Sequence, residues 1–139
     1  MPSNSIQNRD IDCLRPDFLH KLKKALALAD EADLDMLVIE TCRTKERQAW
    51  LYAKGRTSPG PKVTWTLKSK HIDRIAADCV PLVDGKVNWN RKDLFMQWGE
   101  CVTKAGLVWG GDFRKTFDGP HCEAKPAEIG IINKKLFGG

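Results

Sequence analysis

Residues 69–89, SKHIDRIAADCVPLVDGKVNW, decide the reading of the fold. Within them Ile75 to Pro81 is a short apolar run of strand length, and Asp84-Gly85 suits the left-handed positions of a tight hairpin turn. Val87 to Trp89 then reads as a short return strand. A chain that reverses through so short a turn pairs antiparallel, so the predicted sheet is antiparallel at its centre.

Working outward, Met36 to Thr41 is a second apolar, β-branched run and reads as a strand following Asp35. Thr44 can cap a helix from Lys45 to about Lys54, stopped by Gly55, which leaves Arg43 at a strand-to-helix corner. Gly55 to Lys62 is predicted as an irregular loop, because Pro59 and Pro61 lack the amide hydrogens a ladder needs. Upstream, from Pro16, Leu19, Leu22, Leu26 and Ala29 recur at helical spacing, with Lys21, Lys23, Lys24 and Asp30 largely outside that stripe. Downstream, Asn90 can cap a helix running to Ala105, with Gly106 at its C-terminal end. Leu107 to Trp109 and His121 to Glu123 are the remaining strands. The mixture predicts the α+β class: one small domain over residues 1–139, a central antiparallel sheet packed by about three helices, and a polar arm over residues 1–12.

Composition is consistent with that size of unit. The 139 residues are 42% hydrophobic and 29% charged, which excludes collagen, coiled coil and long intrinsic disorder. No apolar run approaches the roughly 20 residues of a membrane span, and the polar start of the chain lacks the apolar core of a secretion signal. The expectation is a chain made in the cytosol. A net charge of +5, with basic and acidic residues interleaved, favours anionic partners only mildly. Five cysteines, at 13, 42, 79, 101 and 122, show no CxxC pair; an odd, widely spread set is expected to be reduced.

Three histidines are present. His20 lies in the first helix beside Lys21 and reads as surface or packing. His71 precedes Asp78 by seven positions, and His121 closes the string Asp118-Gly119-Pro120-His121. Two neutral nitrogens and one anionic oxygen suit a borderline cation such as zinc and leave a fourth position open to water, whose pKa such an ion lowers to about 7. Asp118 could take the proton of that water, and Glu123 competes for the role. In an extended segment His121 and Glu123 share a face, so Glu123 could instead orient an imidazole. The same alternation turns Cys79 and Cys122 away from the ligand set. The spacing alone also accommodates a hydrogen-bonded buried histidine and an ordinary turn aspartate.

The string Ser69-x-His71-x-x-x-x-Ala76-x-Asp78, with Trp109-Gly110-Gly111-Asp112-Phe113 and Asp118-x-Pro120-His121, resembles the VanY-like zinc peptidases. These include D,D-carboxypeptidases and the phage and bacterial L-alanyl-D-glutamate endopeptidases. Arg43-Thr44 with Gln48 and the stretch from Tyr52 to Gly60 add to the likeness, which spans about residues 40 to 123. The resemblance implies a Hedgehog/D-Ala-D-Ala-peptidase-like fold, one Zn2+ held by His71, Asp78 and His121, and Asp118 as catalytic base. It implies that Arg43 holds the scissile carbonyl or a substrate carboxylate, with Ser69 and Gln48 as supporting polar contacts. Trp65 and Trp109 are expected as cleft walls, and most other tryptophans as core. The implied substrate is the peptidoglycan stem peptide, cut at L-Ala-D-Glu by an endolysin without a separate wall-binding domain. The implied enzyme is a monomer, with no nucleic-acid partner and no stable membrane insertion, released from the host cytoplasm by a separate holin-type protein. Arg74 stands where the group usually has glycine, so the backbone there is expected not to use a glycine-only conformation. Cys122 likewise stands where the group usually has a bulkier apolar side chain. Alternatives are a D,D- or L,D-carboxypeptidase of the same group, a non-catalytic cationic module binding wall polymer or nucleic acid, and a thiol hydrolase using Cys122 or Cys79 with His121.

Overall fold

The computed structural model describes residues 3–64, 66–114 and 116–126. Among them run helices α1 (Pro16–Glu31), α2 (Lys45–Ala53) and α3 (Lys92–Lys104), and strands β1 (Met36–Glu40), β2 (Ala76–Val83), β3 (Lys86–Val87), β4 (Val108–Trp109) and β5 (His121–Glu123). All pairings are antiparallel, in the order β1-β2-β5-β4, with β3 folding back on β2. Asp84 and Gly85 both take positive φ, 52° and 76°, as the tight turn between β2 and β3 requires.

Helices α1 and α3 pack against each other and against the sheet, while α2 lies beside the N-terminal arm. Helix α1 buries Phe18, Leu22, Ala25 and Ala29, so its apolar stripe is rotated slightly from the expected one; Leu19 and Leu26 pack at its margin. Helix α3 buries Phe95, Trp98, Gly99, Cys101 and Val102 against the sheet. Thr44 caps α2 as expected, its hydroxyl accepting from the Arg47 amide at 3.0 Å. The cap of α3 is Arg91 rather than Asn90, whose amide donates to the Asn88 side chain in the preceding turn at 2.9 Å. Trp98 is core, whereas Trp50 is half-buried with the Lys54 ammonium 4.0 Å above its ring.

Trp109 departs from its expected place in a cleft wall. Only 5% exposed, it lies in the core. A Cβ added at Gly99 of α3 or at Gly111 would collide with the indole, so both glycines are needed for its seat. Its Nε1–H donates to the Gly119 carbonyl at 2.8 Å and thereby fastens the 118–121 turn from behind. Gly110 completes that fastening: its carbonyl accepts from the Asp118 amide at 3.1 Å, and a Cβ there would strike the Asp118 carbonyl. The Trp-Gly-Gly string is therefore a packing device for the turn that carries Asp118 and His121.

The polar arm is docked against the end of β1. The Asn8 carbonyl accepts from the Thr41 amide at 2.7 Å, the Thr41 hydroxyl donates to Asp10 O at 2.7 Å, and Asp10 caps a short 3-10 turn over Ile11–Cys13. Cys13 and Cys42 form a disulfide, which corrects the expectation of five reduced cysteines. Spacing could not reveal the pair, because it depends on the arm folding back over β1. Cys79, Cys101 and Cys122 are free and buried.

The expectation for Arg74 is also corrected. Its φ is +64°, the left-handed region that favours glycine. Arg74 O accepts from the Arg15 amide at 3.0 Å and its own amide donates to His71 O at 3.3 Å, so neighbouring contacts hold an arginine in a conformation that costs roughly 1–2 kcal/mol.

Three stability measurements follow from this packing. Reduction of Cys13–Cys42, with a sequence separation of 29, is expected to lower the unfolding free energy by about 3 kcal/mol in urea titrations with and without dithiothreitol. Arg74→Gly is expected to raise it by about 1 kcal/mol by relieving the left-handed backbone. Trp109→Phe and Trp98→Phe remove the same atoms, but only Trp109 gives up a hydrogen bond, since Trp98 Nε1 meets no acceptor among the described residues. Trp109→Phe is therefore expected to cost about 1–3 kcal/mol more.

Candidate metal centre

Cross-strand neighbours share a face of a sheet, and one row of partners builds the centre of the cleft. Glu40 on β1 lies opposite Asp78 on β2, and Asp78 lies opposite His121 on β5. A register irregularity between Val38 and Glu40 brings Glu40 into that row. His71 arrives from the loop before β2, anchored by its amide to the Ser69 hydroxyl at 3.1 Å. These side chains line a cavity of about 740 Å³. Asp118, Arg43 and Ser69 open onto the same cavity.

His71, Asp78 and His121 offer ligand atoms within 4.8 Å of one another. Asp78 Oδ1 lies 3.4 Å from His71 Nε2 and 3.2 Å from His121 Nδ1. The outer nitrogen of each imidazole is already committed. His71 Nδ1 sits 2.7 Å from the Thr41 carbonyl, which can only accept, so Nδ1 donates there and Nε2 is the nitrogen turned to Asp78. His121 Nε2 sits 2.8 Å from Glu123 Oε1, and Lys70 closes on Glu123 Oε2 at 3.1 Å. Glu123 thus holds an imidazole from the side away from Asp78 and is not placed as a competitor to Asp118. Two imidazole nitrogens and a carboxylate facing one point are a donor set that, with those nitrogens deprotonated, fits a divalent cation of borderline softness.

The electrostatics follow from burial and pairing. Burial opposes ionisation of Asp78, but the hydrogen bonds from His121 and His71 outweigh it and hold the carboxyl well below its usual range. Burial likewise disfavours the charged form of His121, yet its bonds to Asp78 and Glu123 push it up to about 9. Among the described residues no cation is hydrogen-bonded to Asp118, so burial raises its pKa, with the charges of His121, His71 and Arg43 only partly opposing and that of Asp78 assisting. A carboxyl raised in this way is better matched to proton transfer near neutral pH.

Arg43 reaches the cavity from the strand-to-helix corner predicted for it. Its Nη2 lies 4.0 Å from Asp78 Oδ2. Gln48 is fully buried and reaches no cavity surface: its Oε1 accepts from Arg43 Nη1 at 2.8 Å while its Nε2 donates to Thr66 O at 2.7 Å. It braces Arg43 rather than presenting a polar group to a ligand. Trp65 lies outside the described residues. Cys122 is fully buried, and burial pushes its thiol well above the usual range, as it does that of Cys79. Neither is placed or ionised as a nucleophile, which removes the thiol-hydrolase alternative.

Glu40, Arg47 and Trp89 also line the cavity and were missed from sequence. Glu40 is 3% exposed and binds both Arg43 and the buried Arg47. Its position three residues before one arginine and seven before another was a usable signal. Trp89 is 57% exposed on the cavity rim; alternation after the Asp84-Gly85 turn would have set it with exposed Val87, away from the core.

Comparison with known proteins bears directly on this arrangement. A family model described as D-alanyl-D-alanine carboxypeptidase matches residues 62–124, the segment holding all three converging side chains and Asp118. The peptidoglycan L-alanyl-D-glutamate endopeptidase CwlK of Bacillus subtilis (strain 168) is 31% identical over 136 residues, covering 86% of this chain and 81% of CwlK. The L-alanyl-D-glutamate peptidase of Escherichia phage T5 is 26% identical over 132 residues, covering 83% of this chain and 91% of that protein. The crystal structure of the L-Ala D-Glu endopeptidase ChiX of Serratia marcescens superposes with a TM-score of 0.72 at 25% identity, over 86% of each chain. By its identity to CwlK over most of both chains, by its fold and by the motifs that line its cavity, the chain belongs to the VanY-like peptidase family.

Proposed function

We propose that the protein is a zinc-dependent peptidoglycan peptidase that hydrolyses the L-Ala-D-Glu amide of the stem peptide. The observation that carries this reading is the convergence of His71 Nε2, His121 Nδ1 and Asp78 Oδ1 beside Asp118 in one open cavity. In this reading those three side chains hold a single Zn2+, which when bound supplies a Lewis acid for the amide carbonyl and acidifies water. The remaining chemistry belongs to the chain. Asp118, raised by burial, accepts the proton of the attacking water and passes it to the departing amine. Arg43, its guanidinium fixed by Glu40 and Gln48, binds the carbonyl oxygen or a substrate carboxylate as charge develops. Ser69 holds the His71 loop in shape, through a side-chain bond to the His71 amide.

The L-Ala-D-Glu bond follows from the relatives, CwlK, the phage T5 enzyme and ChiX, each named for that specificity. No helix among the described residues is long and apolar enough to cross a membrane. Action on the wall as a phage-type endolysin, after synthesis in a host cytoplasm and release by a separate holin-type protein, completes the proposal, with the enzyme acting as a monomer. A D,D- or L,D-carboxypeptidase is the second reading, favoured by the description of the matching family model.

Purified sacculi digested with the enzyme are expected to release stem peptides beginning with D-Glu, read by mass spectrometry. Release of terminal D-alanine alone would establish the carboxypeptidase instead. A chelator is expected to abolish the activity and zinc to restore it. Asp118→Ala is expected to bind zinc normally, by metal analysis, while losing about 10²–10⁴-fold in kcat. Near-native turnover in that variant would remove Asp118 from the role of base.

A further inference from the structure

The same cleft holds a carboxylate for which the proposed chemistry has no use. Glu40 is 3% exposed, and its two oxygens receive four hydrogen bonds from two guanidiniums. Arg43 donates Nε to Oε2 at 3.0 Å and Nη2 to Oε1 at 2.8 Å. Arg47 donates Nε to Oε2 at 2.5 Å and Nη2 to Oε1 at 3.2 Å, and its Nη1 reaches back to the Asn4 carbonyl of the arm at 2.6 Å. The two arginines outweigh Burial's penalty and keep Glu40 ionised below its ordinary range.

We propose that Glu40 is a positioning residue for Arg43, and that Arg47 keeps the cluster cationic. This rests on the reading of Arg43 given under Proposed function. A guanidinium has five N–H groups in a rigid plane. Glu40 takes the Nε/Nη2 edge and Gln48 takes one Nη1 hydrogen, which leaves one hydrogen on each of Nη1 and Nη2. With the plane fixed on two sides, those two hydrogens have a set direction, beside the cavity and 4.0 Å from Asp78 at Nη2. A single arginine on Glu40 would be neutralised by it. The second guanidinium leaves one net positive charge on the three side chains, so Arg43 still attracts an oxygen anion while its orientation is held. Lysine could not substitute for Arg43, because it lacks the bidentate edge that Glu40 grips.

The test is a double-mutant cycle of Glu40→Gln and Arg43→Ala, with kcat/KM measured on a soluble L-Ala-D-Glu muropeptide and folding checked by circular dichroism and urea midpoints. Glu40→Gln alone is expected to lower kcat/KM at least tenfold. In the Arg43→Ala background it is expected to lower it less than twofold, because there is no guanidinium left to direct. Equal losses in both backgrounds, or near-native activity of folded Glu40→Gln, overturn the proposal while leaving Arg43 in place. An Arg43→Ala enzyme as active as the parent overturns the role of Arg43 and this proposal with it. If Glu40→Gln does not fold, Glu40→Asp takes its place in the cycle: it keeps the charge, shortens the reach, and is read by the same criterion.

Discussion

Four carboxylates, Glu40, Asp78, Asp118 and Glu123, open on one cavity, and the cleft is organised by the need to compensate them. Buried negative charge is tolerated only where it is paired or hydrogen-bonded. Glu40 has two guanidiniums, Asp78 has two imidazoles, and Glu123 has Lys70 together with His121. Asp118 alone lacks a bonded cation among the contacts of the described residues, and it is the group whose pKa rises. The division of labour among four chemically similar groups thus comes from their neighbours, as environment rather than residue type sets the proton affinity.

This compensation depends on backbone placed with little freedom. The row Glu40, Asp78, His121 crosses three strands, so sheet register determines which side chains meet. The 118–121 turn is tied at one point by the Trp109 indole and at another by the Gly110 carbonyl. The disulfide and the Thr41 bonds hold the arm against the end of β1, immediately before Arg43. Packing that looks remote from the cleft is therefore what sets the distances inside it.

Much of this was legible in the sequence, and the limits are physical. The strands, the Asp84-Gly85 turn and the helix ended by Gly106 are local features, written in periodicity and in residues that favour special backbone. His71, Asp78, Asp118 and His121 were recognised by likeness to a family motif, since their spacing alone left a structural reading open. What escaped depended on tertiary contact. The Cys13–Cys42 bond needed the arm's return path, and the burial of Trp109 needed the glycines at 99 and 111 to be seen beneath it. Gln48 looked like a polar group awaiting a ligand because its partners, Arg43 and Thr66, lie on other segments. The left-handed Arg74 defied the usual residue preference because its neighbours hold it there.

The two histidines turn different edges of their rings toward Asp78, Nε2 from His71 and Nδ1 from His121. Nδ1 stands one bond closer to the backbone along the ring than Nε2, so the meeting point lies nearer to β5 than to the loop bearing His71. An asparagine amide mimics the reach of Nδ1, and a glutamine amide that of Nε2. The pair is consequently asymmetric as a gauge of length, and the two positions differ in the isostere that would preserve the reach.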